Sequence, residues 1–202
     1  MARSTIQAAR TLFSTAMEQG GYFTAKQAIQ AGYGYSHLEY HESAGNFEKA
    51  GHGLYRLTSL PPTENDEYVR LALWSRDRMD TPQAVVSHET ALTLHELSDL
   101  LPAAIHLTVP VRFRKAPPVG CVLHKAELSP GDIEERIGFR VTTPLRTLLD
   151  AATGGVSQEE LHKAVREALS RGLVRKTVLD KVSAQPAYER LKPAPVSKPK
   201  RR

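Results

Sequence analysis

Glycine sets the tightest limits on what this chain can fold into. Between residues 20 and 53 it falls as Gly20-Gly21, Gly32-Tyr33-Gly34, Gly45 and Gly51-His52-Gly53, so no segment between them exceeds ten residues. Glycine weakens helices and strands and supplies left-handed turns, so each break is expected to end an element. Upstream, Ile6, Ala9, Phe13, Ala16 and Met17 recur at helical steps and predict one buried helical stripe, stopped by Gly20-Gly21. Tyr22-Phe23 is long enough only for a stub of strand. Thr24 is placed to N-cap a second helix with Ala25, Ala28 and Ile29 inward. Ser36-His37-Leu38-Glu39 has the S-x-x-E form of a capping box and predicts a third helix, closed by Gly45 near Asn46. Phe47, Leu54, Tyr55 and Leu57 around Gly51-His52-Gly53 predict a β-hairpin.

Three helices with a tight break between the second and third, then a hairpin, describe a winged helix-turn-helix. In that arrangement the third helix enters the DNA major groove and the hairpin meets the backbone. The candidate DNA contacts are then Thr24, Lys26, Ser36, His37, Tyr40, His41, Lys49, His52 and Arg56. The expected reading helix, Ser36 to Asn46, contains no Lys or Arg and holds Glu39 and Glu42. Such a helix can still read bases, because Ser and His reach purine acceptors and Glu accepts from cytosine N4. His37, Tyr40 and His41 are the expected readers, although His41 can instead pack inward with Leu38. Lys26, Lys49 and Arg56 are expected to hold phosphate, which positions a module without specifying sequence. Residues 1 to 60 carry five basic and four acidic side chains, so a single module should bind weakly without help.

That help has a candidate source in the charge distribution. The net charge of +5 is carried by Lys192, Lys198, Lys200, Arg201 and Arg202, leaving 22 basic against 22 acidic side chains in residues 1 to 191. The ending KPAPVSKPKRR is rich in Pro and Lys/Arg and is expected to be a disordered basic arm or a solvated end. The expected division is a winged helix over 1–60, an α+β domain over 61–183 beginning after Pro61-Pro62, and a disordered basic tail over 184–202. Hydrophobic content of 41% and charged content of 24% are ordinary for a globular chain. No 18-residue apolar run and no secretory h-region occur, so a cytoplasmic protein without membrane contact is expected. The single cysteine, Cys121, excludes an intramolecular disulfide and a Cys-based zinc site.

The second half predicts a mixed α/β domain with a small, mostly antiparallel sheet and C-terminal helices. "AAIHLTVP", "VGCVLHKAEL" and "IGFRVTTP" read as strands, with Cys121 buried in one of them. A helix starts near Glu64. "TPLRTLLDAA" starts another, with Thr143 as cap and Pro144 first. Leu161, Ala164, Val165, Ala168 and Leu169 mark a further amphipathic helix. Arg146 is expected to pair with Asp150 one turn on. Arg112, Arg114 and Lys115 form the most basic folded stretch and are candidates for nucleic-acid or partner contact, or for an ordinary solvated loop. His88-Glu89 and His95-Glu96 do not complete H-E-x-x-H, and His37, His41 and His52 fix no third ligand, so no metal is expected. Gly32-x-Gly34 lacks the third glycine of a dinucleotide fingerprint, so no cofactor is expected. No Glu-x-Lys, Asp-x-Lys or Gln-x-Lys occurs, no P-loop and no G-x-S-x-G, which argues against a nuclease and against an enzyme generally.

The stretch from Gly20 to Leu57 resembles the N-terminal domain of AbiEi-type antitoxins of type IV toxin–antitoxin systems. The matching features are Gly21 to Ala25, the Tyr40-His41 pair, Gly45 and the Gly53-Leu54-Tyr55-Arg56-Leu57 close. "VVSHETALTLHELSDLLP", "IHLTVP" and "RVTTPLRTLLDAA" resemble the block that follows it, so the likeness spans roughly residues 10 to 182. The resemblance implies two roles. One is repression of its own operon through inverted repeats in double-stranded DNA. The other is opposition to a nucleotidyltransferase toxin without a presumed stable complex. Where many members carry Arg in the helix and wing, this chain has Glu42 and His52. The alternative is a plain winged-helix regulator with no toxin partner; a nuclease-related protein is the third reading.

Overall fold

The computed structural model describes residues 2–99 and 101–192, with the side chains of residues 2–5 left aside. The chain divides into two compact units, one of residues 1–84 with 135–140, the other of 85–134 with 141–202. The units part at Ala84, not at Pro61-Pro62.

In the first unit, α1 (Ala2–Glu18), β1 (Tyr22–Thr24), α2 (Ala25–Ala31), α3 (Tyr35–Ser43), β2 (Phe47–Gly51), β3 (Leu54–Leu57) and α4 (Asp66–Trp74) follow in order. Strand β3 lies between β1 and β2, antiparallel to both, with Phe23 opposite Tyr55 and Phe47 opposite Leu57. The local signals behave as their chemistry requires. Thr24 caps α2 through its hydroxyl, which accepts from the Gln27 N–H at 3.2 Å, and the Gln27 side chain returns to the Thr24 N–H at 2.8 Å. Gly45 adopts a positive φ of 74° and closes α3, with the Asn46 N–H donating to the His41 carbonyl at 2.9 Å. The Ser36–Glu39 capping box does not form. The cap lies two residues earlier, at Gly34, whose N–H donates to His37 Nδ1 at 3.3 Å.

Helix α1 turns a different face inward from the one its larger apolar residues predict. Ala8, Leu12 and Ala16 are buried, while Ile6, Phe13 and Met17 are about half exposed. The reason is closeness: a Cβ at Gly32 would stand 3.4 Å from the Ala8 Cβ, so only small side chains fit where α1 crosses the end of α2. Leu12, Phe23, Leu38, Phe47 and Leu57 form the core of the module. Phe23 meets Phe47 edge-on at 5.0 Å and stacks on Tyr55 at 5.8 Å.

In the second unit, β4 (Val85–Val86), α5 (His88–Leu94), β5 (Ile105–Val109), β6 (Cys121–Lys125), β7 (Ile133–Arg136) and β8 (Phe139–Thr142) lead to α6 (Pro144–Thr153). Helices α7 (Gln158–Ser170), α8 (Lys176–Lys181) and α9 (Tyr188–Leu191) follow. The turn of the β7–β8 pair, residues 135–140, belongs to the first unit. The sheet order is β6-β5-β4-β8-β7. It is mixed where a mostly antiparallel sheet was expected: β5–β6 and β4–β8 run parallel, and β4–β5 antiparallel. The residues between Val109 and Cys121 are numerous enough to carry the chain back for a parallel pairing, which a tight hairpin turn cannot do. Cys121 is half-buried on the edge strand β6. Pro144 takes the first turn of α6, and Thr143 caps by position without a side-chain bond. The chain is packed through Leu191, which is fully buried with Ala187 in the α6–α7 core, because Arg190 ties α9 to the carbonyls of Ala152 and Val156, each at 2.6 Å. The disordered tail expected from residue 184 is thus corrected as far as Lys192; residues 193–202 lie outside the described residues.

Three histidines from β5, β6 and the start of α5 stack in this unit. His88 lies 3.5 Å from His124, centroid to centroid, and His106 Nδ1 is 3.0 Å from His124 Nε2. Burial, then the neighbouring His124, His106 and Arg146, push the His88 pKa down to about 3, so its ring is neutral when folded. Unfolded, the same ring takes up a proton below about pH 6.5. The unfolded chain therefore binds more protons between these values, and stability falls with acid at about 1.4 kcal/mol per pH unit for this residue. The second unit is expected to lose about 2 kcal/mol between pH 6.5 and 5. His88→Asn, which suits the residue's φ of 53°, is expected to remove most of that loss in denaturant titrations at the two pH values.

Candidate nucleic-acid interface

Helix α3 is held to its module by Leu38, its one buried residue among the described residues, at 1% exposure. Around that anchor the ring of Tyr33 lies 5.6 Å from His41 and 6.0 Å from Phe47. His41 stacks on Phe47 at 4.7 Å, and its Nδ1 lies 3.1 Å from the Asn46 amide nitrogen. Burial, followed by the neighbouring His37, lowers the His41 pKa, which keeps the ring neutral. Of the two expectations for His41, the inward-packed one describes its geometry.

The opposite face of α3 carries Tyr35, Ser36, His37, Glu39, Tyr40 and Ser43, all exposed. Tyr35 and Tyr40 are exposed by 71% and 66%. Glu42 is half-buried, so the outward face is less acidic than the composition of the helix. A cap at Ser36, as the S-x-x-E pattern predicts, leaves Tyr35 outside the helix. Placing the cap at Gly34 puts Tyr35 in the first turn, where an exposed aromatic ring can lie against DNA.

The wing is β2–β3. Lys49 and His52 are exposed on it, with Gly53 at a φ of 62° forming its tip. Lys26 is also exposed, but its Nζ pairs with Asp80 at 2.8 Å and donates to the Arg78 carbonyl at 3.2 Å. Its charge is therefore already compensated. Thr24 is occupied as a helix cap.

Arg56 is the main correction. Its side chain is 9% exposed, its Nη2 donates to the Leu60 carbonyl, and its Nε lies 3.7 Å from Asp66 Oδ2. Tyr22 donates its phenolic O–H to the same Asp66 oxygen at 3.1 Å. Burial opposes the charge on Asp66, but the Thr63 N–H and hydroxyl, Tyr22 and Arg56 together hold its carboxyl below the usual range. Arg56 thus ties β3 to the start of α4 and is not a phosphate contact. Alternation within β3 puts Arg56 on the face opposite Tyr55 and Leu57, and it is buried there because Leu60 and Asp66 cover that face. In the second unit, Arg112, Arg114 and Lys115 are exposed around a buried Phe113. Arg146 pairs with Asp150 at 2.8 Å as expected, and also approaches Asp132 at 3.5 Å. No group of three or more His, Cys, Asp or Glu among the described residues is arranged to hold a metal. No described helix is long and apolar enough to cross a membrane.

A three-helix module whose third helix shows a polar, aromatic face beside a two-stranded wing is a winged helix-turn-helix, the architecture of DNA-binding regulators. Residues 10–58 match the family model described as transcriptional regulator, AbiEi antitoxin. The crystal structure of RV2827C protein from Mycobacterium tuberculosis is similar over 79% of this chain and 71% of that one, at 17% identity and a TM-score of 0.45. No curated protein matches the chain.

The two residue classes separate experimentally. Arg56→Ala is expected to cost about 2–4 kcal/mol of stability by leaving Asp66 without its cation. Tyr40→Ala is expected to leave the denaturation midpoint unchanged and to weaken specific DNA binding by about 1–3 kcal/mol. Denaturant titration and fluorescence anisotropy on the same preparations check both.

Proposed function

We propose that this protein is a DNA-binding antitoxin that represses its own operon and opposes a nucleotidyltransferase toxin. The observation that supports it best is the exposed face of α3 beside the wing, within the stretch that matches the AbiEi regulator family. On this reading Tyr35, Ser36, His37, Glu39 and Tyr40 face base edges of an inverted repeat. Lys49 and His52 approach the phosphates from the wing, and two copies occupy the two halves of the repeat. The antitoxic role belongs to the α+β part, where Arg112, Arg114 and Lys115 offer an exposed basic loop to a partner or to nucleic acid.

Nuclease protection of DNA upstream of the gene is expected to cover an inverted repeat, and co-expression with the adjacent reading frame is expected to relieve its toxicity. Protection without any rescue would favour the plain regulator. Absence of both protection and rescue would overturn the proposal.

With few free cations on the module, phosphate affinity is expected to come in part from residues 193–202, which carry Lys198, Lys200, Arg201 and Arg202. Their deletion is expected to flatten the slope of log K against log salt by up to about 3–4 while specificity is retained. Binding titrations at several salt concentrations give the slopes, and equal slopes would remove the arm from the mechanism.

A further inference from the structure

The second unit contains a polar cavity of about 580 Å³ that the DNA-binding reading does not use. Its size is that of small-molecule sites, roughly 300–1,000 Å³. Three sequence blocks meet in its wall: His88 from "VVSHETALTL", Thr108 from "IHLTVP", and Arg146 with Asp150 from "TPLRTLLD". His124 and Lys125 of β6 complete its polar lining.

The hydrogen bonding in this wall is incomplete in one place. Asp150 is 7% exposed; its Oδ1 accepts from Arg146 Nε at 2.8 Å, while Oδ2 is buried with no hydrogen-bond partner. A buried carboxylate oxygen needs a donor. Burial raises the Asp150 pKa, against the pull of Arg146, which expresses the same unmet need. Around it the wall offers donors and positive charge. Thr108 donates to Ser87 Oγ at 2.8 Å, and Ser87 Oγ lies 2.9 Å from His88 Nδ1. With the Ser87 hydrogen directed at Nδ1, His88 carries its proton on Nε2, as a donor. Lys125 is exposed at the edge of the cavity, with no ion-pair partner among the described residues.

We infer that this cavity binds a small phosphate monoester bearing hydroxyl groups, its phosphate beside Lys125 and Arg146 and a hydroxyl donating to Asp150 Oδ2. Each simpler ligand fails one wall. Inorganic phosphate beside Lys125 and Arg146 does not extend to Asp150 as a hydroxyl-bearing ester does, and an apolar molecule leaves Asp150 Oδ2 without a donor. A metal ion lacks a ligand set among the described residues. Sugar phosphates and nucleotides share the required chemistry. The inference stands apart from the DNA-binding reading, since no residue of α3 or the wing enters it.

The full-length chain is titrated by calorimetry with ribose 5-phosphate and with AMP, and with inorganic phosphate and ribose as controls. Saturable binding of ribose 5-phosphate, AMP or both is expected, at least about tenfold tighter than either control. Ribose 5-phosphate alone would identify a sugar phosphate, and AMP alone a nucleotide. Asp150→Asn and Lys125→Met are each expected to weaken that binding about tenfold or more. Lys125 is exposed, so its variant decides the matter should Asp150→Asn fail to fold. Absence of binding up to about 10 mM, inorganic phosphate binding as tightly as the esters, or unchanged binding in folded variants would each overturn the inference.

Discussion

Leu38 is the residue through which α3 is attached to its module. It sits at 1% exposure beside Phe23, Phe47 and Leu12, and the rest of the helix turns outward from it. A single buried leucine contributes about 1.5–3 kcal/mol, too little to hold a nine-residue helix alone. The remainder comes from contacts at its ends: the Gly34 N-cap, the turn at Gly45, and His41 stacked on Phe47. This economy leaves six side chains of α3 facing outward, and it binds the orientation of that face to the Phe23–Phe47–Tyr55 aromatic contacts of the small sheet.

The same arrangement answers how an acidic helix can serve as a DNA reader. Glu42 is half-buried, leaving Glu39 as the exposed carboxylate among residues 35–43. The outward face is therefore dominated by Tyr35 and Tyr40, with Ser36 and His37 between them. Such a face can make hydrogen bonds and ring contacts with base edges but contributes no phosphate neutralisation. Arg56 is committed to Asp66 and Leu60, and Lys26 to Asp80, so Lys49 is the wing's remaining lysine. On the proposed reading, specificity and affinity are supplied by different parts of the chain.

The second unit has a different physical character. Its helical core is apolar around Leu148, Leu161 and Leu191, yet one edge gathers three stacked imidazoles, a buried carboxylate and two cations. Burying the uncharged His88 against His124 makes that edge sensitive to protonation, and the Arg146–Asp150 pair leaves one oxygen unmet.

What was legible in the sequence was local. Thr24 with Gln27, Gly45, Gly53 and Pro144 act through backbone groups within a few residues, and their chemistry is the same in any fold that contains them. From them the order of three helices and a hairpin followed, and with it the position of the candidate reading helix. The inward face of α1, the burial of Arg56, the inward ring of His41 and the parallel pairs of the second sheet were decided elsewhere in the chain. In α1 the choice between two apolar stripes depended on how closely Gly32 allows α2 to approach. Arg56 became structural because Asp66 and Leu60 come back to meet it, and His88, His106 and His124 met because β5 and β6 pair in parallel register. Contacts between residues far apart in the chain have no period or spacing by which a sequence can announce them, and only the packed structure brings their charges and volumes together.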